Sequence, residues 1–108
     1  MGKFIIGRRS DADFQFNLKA DNGLVILTSQ GYSSKENCQN GIASVRKNSS
    51  EDSLYERSKS ANDKHYFNLK STNGQVIGTS QMYESSSSME TGIDSVKRNA
   101  PDAVLEED

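Results

Sequence analysis

Residues 14–20 read Phe-Gln-Phe-Asn-Leu-Lys-Ala, so apolar and polar positions alternate. A period of two places Phe14, Phe16, Leu18 and Ala20 on one face of a strand and Gln15, Asn17 and Lys19 on the other, as in a half-buried strand. Asn22-Gly23 follows, and it predicts a hairpin turn because both residues accept left-handed backbone angles cheaply. Residues 24–30 return as the partner strand. Its register has two solutions. A two-residue loop sets Val25 and Leu27 on the face of Phe16 and Leu18, whereas a three-residue loop with a bulge sets Ile26 there instead. The period then changes. Cys38, Gly41, Ile42 and Val45 fall at i, i+3, i+4 and i+7, one apolar stripe of an amphipathic helix. Ser33 and Glu36 have capping-box spacing, Arg46 and Lys47 suit the negative end of the helix dipole, and Asn48 is the expected C-cap.

The passage then recurs, shifted by 51 residues: residues 66–100 are identical to 15–49 at 18 of 35 positions. Asn73-Gly74 repeats the turn, and Met89, Gly92, Ile93 and Val96 repeat the stripe. Ser87 and Glu90 offer the cap, Lys97 and Arg98 the last-turn cations, Asn99 the C-cap, and Pro101 blocks continuation. Leu27 becomes Gly78 while Ile26 stays Ile77, which favours the bulged form with Ile26 inward. Residues 3–8 and 54–59 read as first strands, 49–53 as a polar connector and 103–106 as a final strand. Two repeats are too few for a solenoid, and a half of about fifty residues buries too little to stand alone. The expectation is two repeats, 1–53 and 54–108, sharing one core about a pseudo-two-fold axis.

The string N-G-x-V-I-x-T-S-Q-x-Y-x-S followed by G-I-x-S-V-[RK]-[KR]-N, present twice, resembles the YegP-like family of small bacterial proteins in its tandem form. That resemblance implies an α+β fold. Two β3-α-β units merge into one mainly antiparallel sheet, two helices pack on one face, and C-terminal strands are exchanged between repeats. It brings no established activity and no catalytic residues.

Leu, Ile, Val and Phe make up just under a fifth of the chain, a fraction that suggests disorder only when net charge is high. Here the formal net charge is −2, and the periodic pattern argues for a small folded domain. Weak acidity argues against strong non-specific attraction to nucleic acid or anionic membrane. One cysteine excludes an intramolecular disulfide and fits a reducing compartment. The N-terminal stretch is too short in apolar residues for a signal peptide or a span, and Ile6 stands where myristoylation needs Ser or Thr. The expected location is the cytoplasm, the expected state a monomer.

Few residues of the chain suit catalysis. His65, the one histidine, aligns with Phe14 and reads as a rim-of-core residue. Cys38 aligns with Met89 on the helix stripe and reads as packing rather than a nucleophile. There is no C-x-x-C, H-x-x-x-H, Walker loop or G-x-G-x-x-G, so no cofactor or transition metal is expected. Tyr32 and Tyr83 precede the helices and suit stapling of their first turns. The doubled polar positions remain. Asn17, Lys19, Asn68 and Lys70, with Tyr66 at the same parity, should lie on the sheet face opposite the helices. Arg46, Lys47, Lys97 and Arg98 form an anion patch if the axis brings the helix ends together. The reading is a non-catalytic interaction module that binds a protein or peptide through its open sheet face. The alternative is nucleic-acid or anion binding through the basic helix ends and strand-face lysines.

Overall fold

The computed structural model describes residues 2–8 and 13–107. Strands β1 (Lys3–Arg8), β2 (Phe14–Lys19) and β3 (Val25–Thr28) lead into helix α1 (Lys35–Asn48). A 3-10 turn (Asp52–Leu54) then opens the second copy: β4 (Tyr55–Lys59), β5 (His65–Lys70), β6 (Val76–Thr79) and α2 (Ser86–Asn99), closed by β7 (Val104–Glu107). The seven strands form one sheet in the order β4-β5-β6-β3-β2-β1-β7. The repeats meet where β3 and β6 pair antiparallel at Thr28 and Thr79, equivalent positions that mark the pseudo-two-fold axis. Strand β7 of the second repeat runs parallel to β1 of the first, Lys3 opposite Val104 through Ile6 opposite Glu107. This is the α+β architecture that the resemblance implies, with one strand, β7, crossing to the other repeat. On the other side the chain passes from α1 straight into β4, so β4 is an edge.

Both helices lie against one face. Phe4, Phe16, Leu18 and Leu27 from the first repeat and Phe67 and Leu69 from the second are fully buried there, with Ile42, Val45, Ile93 and Val96 from the helices. Phe4 meets Phe16 edge-on at 5.7 Å, and Tyr55 meets Phe67 the same way at 5.6 Å. The core is therefore doubled in geometry as well as in sequence.

Local details depart from the expected ones. The register slips between Leu18 and Lys19, so Lys19 faces Val25 and Leu18 faces Leu27. The bulge is real, but it buries both Ile26 and Leu27 instead of choosing between them. Within these two Asn-Gly turns the glycines alone take positive φ, +84° at Gly23 and +88° at Gly74. Asn22 and Asn73 instead use their side chains, accepting from Leu24 N at 3.1 Å and Gln75 N at 3.2 Å. The N-caps are Ser34 and Ser85, whose side chains accept from Asn37 N and Ser88 N, and not Ser33 and Ser87. Asn48 and Asn99 are not left-handed C-caps. They end the helices as buried residues, donating back to Ser44 Oγ at 3.2 Å and Ser95 O at 2.8 Å.

Candidate functional site

Among the described residues no helix or strand covers the second face of the sheet, and one row of cross-strand neighbours runs across it. Glu56 faces Asn68, Asn68 faces Thr79, Thr79 faces Thr28, Thr28 faces Asn17, Asn17 faces Ile5, and Ile5 faces Glu106. Its centre is a palindrome, Asn-Thr-Thr-Asn. Thr28 Oγ1 donates to Asn17 Oδ1 at 2.7 Å, and Thr79 Oγ1 donates to Asn68 Oδ1 at 2.7 Å. Each threonine thus turns its neighbour's amide so that Nδ2 points along the row away from the axis.

The axis itself carries a groove of about 500 Å³ lined by four identical pairs: Val25/Val76, Thr28/Thr79, Ser29/Ser80 and Gln30/Gln81. Ser29 and Ser80 build its walls. Each accepts from a neighbouring strand amide, Phe16 N or Phe67 N, at 2.9 Å, and donates to the carbonyl of Gln30 or Gln81. These bonds satisfy the backbone where β3 and β6 leave the ladder. The groove is therefore lined by uncharged hydroxyls, amides and two valines.

All five residues expected on the open face lie there. Asn17, Lys19, Asn68 and Lys70 flank the groove. Tyr66 faces Ser58 toward the β4 edge, and its counterpart is Gln15, so that part of the face is not repeated. The two lysines differ in their surroundings. Lys70 Nζ pairs with Glu56 Oε2 at 3.0 Å, and Asn68 Nδ2 donates to Glu56 Oε1 at 3.2 Å. Both contacts hold the Glu56 carboxyl below its usual range, that of Lys70 foremost. Asn17 faces Ile5 instead, and Lys19 faces Lys3. The Ile5/Glu56 exchange was visible in the sequence, because the 51-residue shift extends through the first strands.

The helix C-termini do approach one another. Arg46 Nη1 donates to Pro101 O at 3.4 Å, just past α2, and Lys97 Nζ reaches Asp52 Oδ1 at 2.8 Å, just past α1. Arg46 also lies over the Phe4 ring at 5.0 Å and Lys97 over Tyr55 at 5.6 Å. Two of the four patch cations thus have intramolecular partners, while Lys47 and Arg98 are exposed.

His65 pairs through its backbone with Tyr83 and lines a 190 Å³ cavity with Arg57, Ser58, Lys59 and Met89. No carboxylate is among the residues that line that cavity. Cys38 is fully buried, and burial pushes its thiol pKa up, away from the thiolate a nucleophile needs. Among the described residues no group of three His, Cys, Asp or Glu side chains could hold a metal, and no helix is long and apolar enough to cross a membrane. Tyr32 and Tyr83 stack on Phe16 and Phe67 at 6.3 and 6.4 Å and reach the helix glycines Gly41 and Gly92, the stapling role expected of them.

Comparison with known proteins agrees with this doubled plan. A family model described as a domain of unknown function (DUF1508) matches twice, over residues 10–56 and 60–107. A UPF0339 protein of Acinetobacter baylyi is 52% identical over 106 residues, covering 98% of this chain and 96% of its own. The UPF0339 protein YegP of Escherichia coli K12 is 49% identical over the same coverage. The solution structure of E. coli YegP, a protein of unknown function, superposes with a TM-score of 0.94 at 48% identity, over 99% of this chain and 92% of that one. A UPF0339 protein of Shewanella oneidensis gives 0.92 at 44% identity, over 98% and 90%. With two copies of the unit in one sheet and relatives alike along nearly their whole length, the chain belongs to the DUF1508 family of YegP-like UPF0339 proteins.

Proposed function

We propose that this protein is a non-catalytic interaction module that binds a protein or peptide through the open face of its sheet. The observation that carries the reading is the groove at the axis, whose lining is four identical pairs although the buried Leu27/Gly78 and Cys38/Met89 have diverged. Folding asks more of buried positions than of exposed ones. Exposed Gln30 and Gln81 keep their identity all the same. A concave, uncharged strip with valines and amides suits an extended chain, whose backbone needs donors and acceptors and whose side chains need small apolar contacts. The cations at the helix ends support nucleic-acid binding less well, because Asp52 lies against Lys97 and Arg46 packs on Phe4. A single buried thiol suits the reducing cytoplasm, and a tandem pair that completes its own core suits a monomer.

Selection from a displayed peptide library, followed by amide NMR mapping of the enriched peptides, tests this reading. Shifts at Val25–Gln30 and Val76–Gln81, lost in Val25→Arg/Val76→Arg, support it. Peptides that map to the helices, or no enrichment, overturn it.

A further inference from the structure

The two halves of the open face present the same donors, and only one half fills them. In the second repeat Asn68 Nδ2 and Lys70 Nζ converge on the two oxygens of Glu56. In the first repeat the same fold places Asn17 and Lys19 at the equivalent positions, and Thr28 orients Asn17 as Thr79 orients Asn68. The carboxylate is missing there, because Ile5 stands where Glu56 stands. The protein therefore carries its own picture of what this donor pair binds. The lysine of this pair is also left open, although Asp21 and Glu106 balance the charge of Lys3 and Lys19 nearby. Lys3 and Lys19 are cross-strand neighbours, and the one ion pair of Lys3, to Glu106 at 3.1 Å, leaves Lys19 without a carboxylate partner among the described residues. A cavity of about 330 Å³ opens beside them, lined by Lys3, Ile5, Lys19, Asp21, Gly23 and Glu106.

We propose that Asn17 and Lys19 form a carboxylate-binding site, which takes an acidic side chain of an extended peptide while Ile5 supplies an apolar contact for its stem. The peptide as source rests on the reading of the open face given above; the carboxylate chemistry rests on the Glu56 arrangement alone. An ammonium and an amide that meet a carboxylate in charge-assisted bonds discriminate it from the isosteric amide. Glu56 blocks the second copy of the site from within, so the chain offers one such site.

The test is an amide NMR titration of the full chain with a capped acidic peptide, Ac-Gly-Val-Glu-Val-Gly-NH2, with its Gln counterpart, and with glutarate. The Glu peptide should shift Ile5, Asn17 and Lys19 at least about tenfold more tightly than the Gln peptide, the loss expected for a charged hydrogen-bond partner. Glutarate binding equally tightly would make the ligand a small dicarboxylate and overturn the peptide assignment. Lys19→Gln should abolish the response. Ile5→Glu, which recreates the Glu56 arrangement, should abolish it too. Glu56→Ile should uncover a second site, with new shifts at Asn68 and Lys70. The proposal falls if Glu and Gln peptides act alike, if Asn17 and Lys19 stay silent, or if Glu56→Ile leaves Asn68 and Lys70 silent. Library-selected peptides that still bind the axial groove in that event would leave the open-face reading standing; silence of both would end both.

Discussion

Leu27 fills the space that Gly78 leaves beside the pseudo-two-fold axis: a β-carbon built at Gly78 would stand 2.6 Å from Cγ and Cδ2 of Leu27. The two positions are equivalent in the repeats, and Leu27 is fully buried, so it has no room to yield. One large side chain fits near the axis and two do not, which explains why the copies differ here. Gly78→Leu should destabilise the fold by about 1–3 kcal/mol through overpacking. Leu27→Ala should cost about 2–5 kcal/mol through the cavity it leaves. The exchange Leu27→Gly/Gly78→Leu should recover most of the loss, and denaturant melts of the single and double variants should give a coupling of about 1 kcal/mol or more. Additive losses would contradict the shared site.

Tyr32 and Gly41 stand in a similar relation, as do Tyr83 and Gly92. A β-carbon at either glycine would meet the tyrosine hydroxyl well inside van der Waals contact. Alanine in a helix interior is normally better than glycine by about 1 kcal/mol. Here the clash should reverse that preference, and Gly41→Ala should lower the unfolding midpoint. The tyrosine rings are stacked on Phe16 and Phe67, so they cannot swing away freely. Tyr32→Phe removes the nearest atom and should reduce the penalty of Gly41→Ala in thermal melts. An equal penalty in both backgrounds would place the strain elsewhere.

Much of this was legible in the sequence. The 51-residue shift, the alternation from Phe14 and the stripe from Cys38 give the strands, the helices and the doubled core, because burial imposes period two or 3.6 on apolar positions. The open-face parity of Asn17, Lys19, Asn68 and Lys70 followed from the same alternation. Three things did not follow. Capping depends on which hydroxyl meets an amide, and adjacent serines at 33–34 and 85–88 give spacing alone no means to choose. The bulge buries two successive residues, which a strict alternation cannot represent. The difference between Lys19 and Lys70 lies in a neighbouring strand, so it needed pairing between Ile5 and Asn17 and between Glu56 and Asn68 before it had any meaning.

The capping assignment has a direct consequence. Ser34 Oγ and Ser85 Oγ each accept from a first-turn amide at 3.0 Å. Ser34→Ala and Ser85→Ala should each cost about 1 kcal/mol, the usual value for loss of a serine N-cap. Ser33→Ala and Ser87→Ala should be nearly neutral. Equal losses at Ser33 and Ser34 in urea melts would show that the capping hydroxyl is shared.

The β4 edge gives the last expectation. Arg57 occupies the position that Ile6 holds in the first repeat, where β7 covers the strand. Without a covering strand the inward residue is charged, and its guanidinium binds Glu90 on α2 and Asp52 in the 3-10 turn, at 2.5 and 3.0 Å. An inward charge on an edge strand discourages pairing with another chain. Arg57→Ile should therefore promote concentration-dependent self-association in sedimentation velocity, whereas the parent should run as a monomer. Acid sensitivity should change with it. Arg57 holds the Glu90 carboxyl below its usual range, and Lys97 and then Arg57 do the same for Asp52. Groups with lowered folded pKa values add stability that is fully present above the ordinary carboxylate range, about pH 4–4.5, and lost as the pH falls through the lowered values. The pairs are exposed, so the effect should be small and should shrink in high salt. Across that acid window the parent should lose more stability than Arg57→Ile. Parallel pH profiles, with both chains monomeric at every concentration, would show that Arg57 neither guards the edge nor carries the acid response.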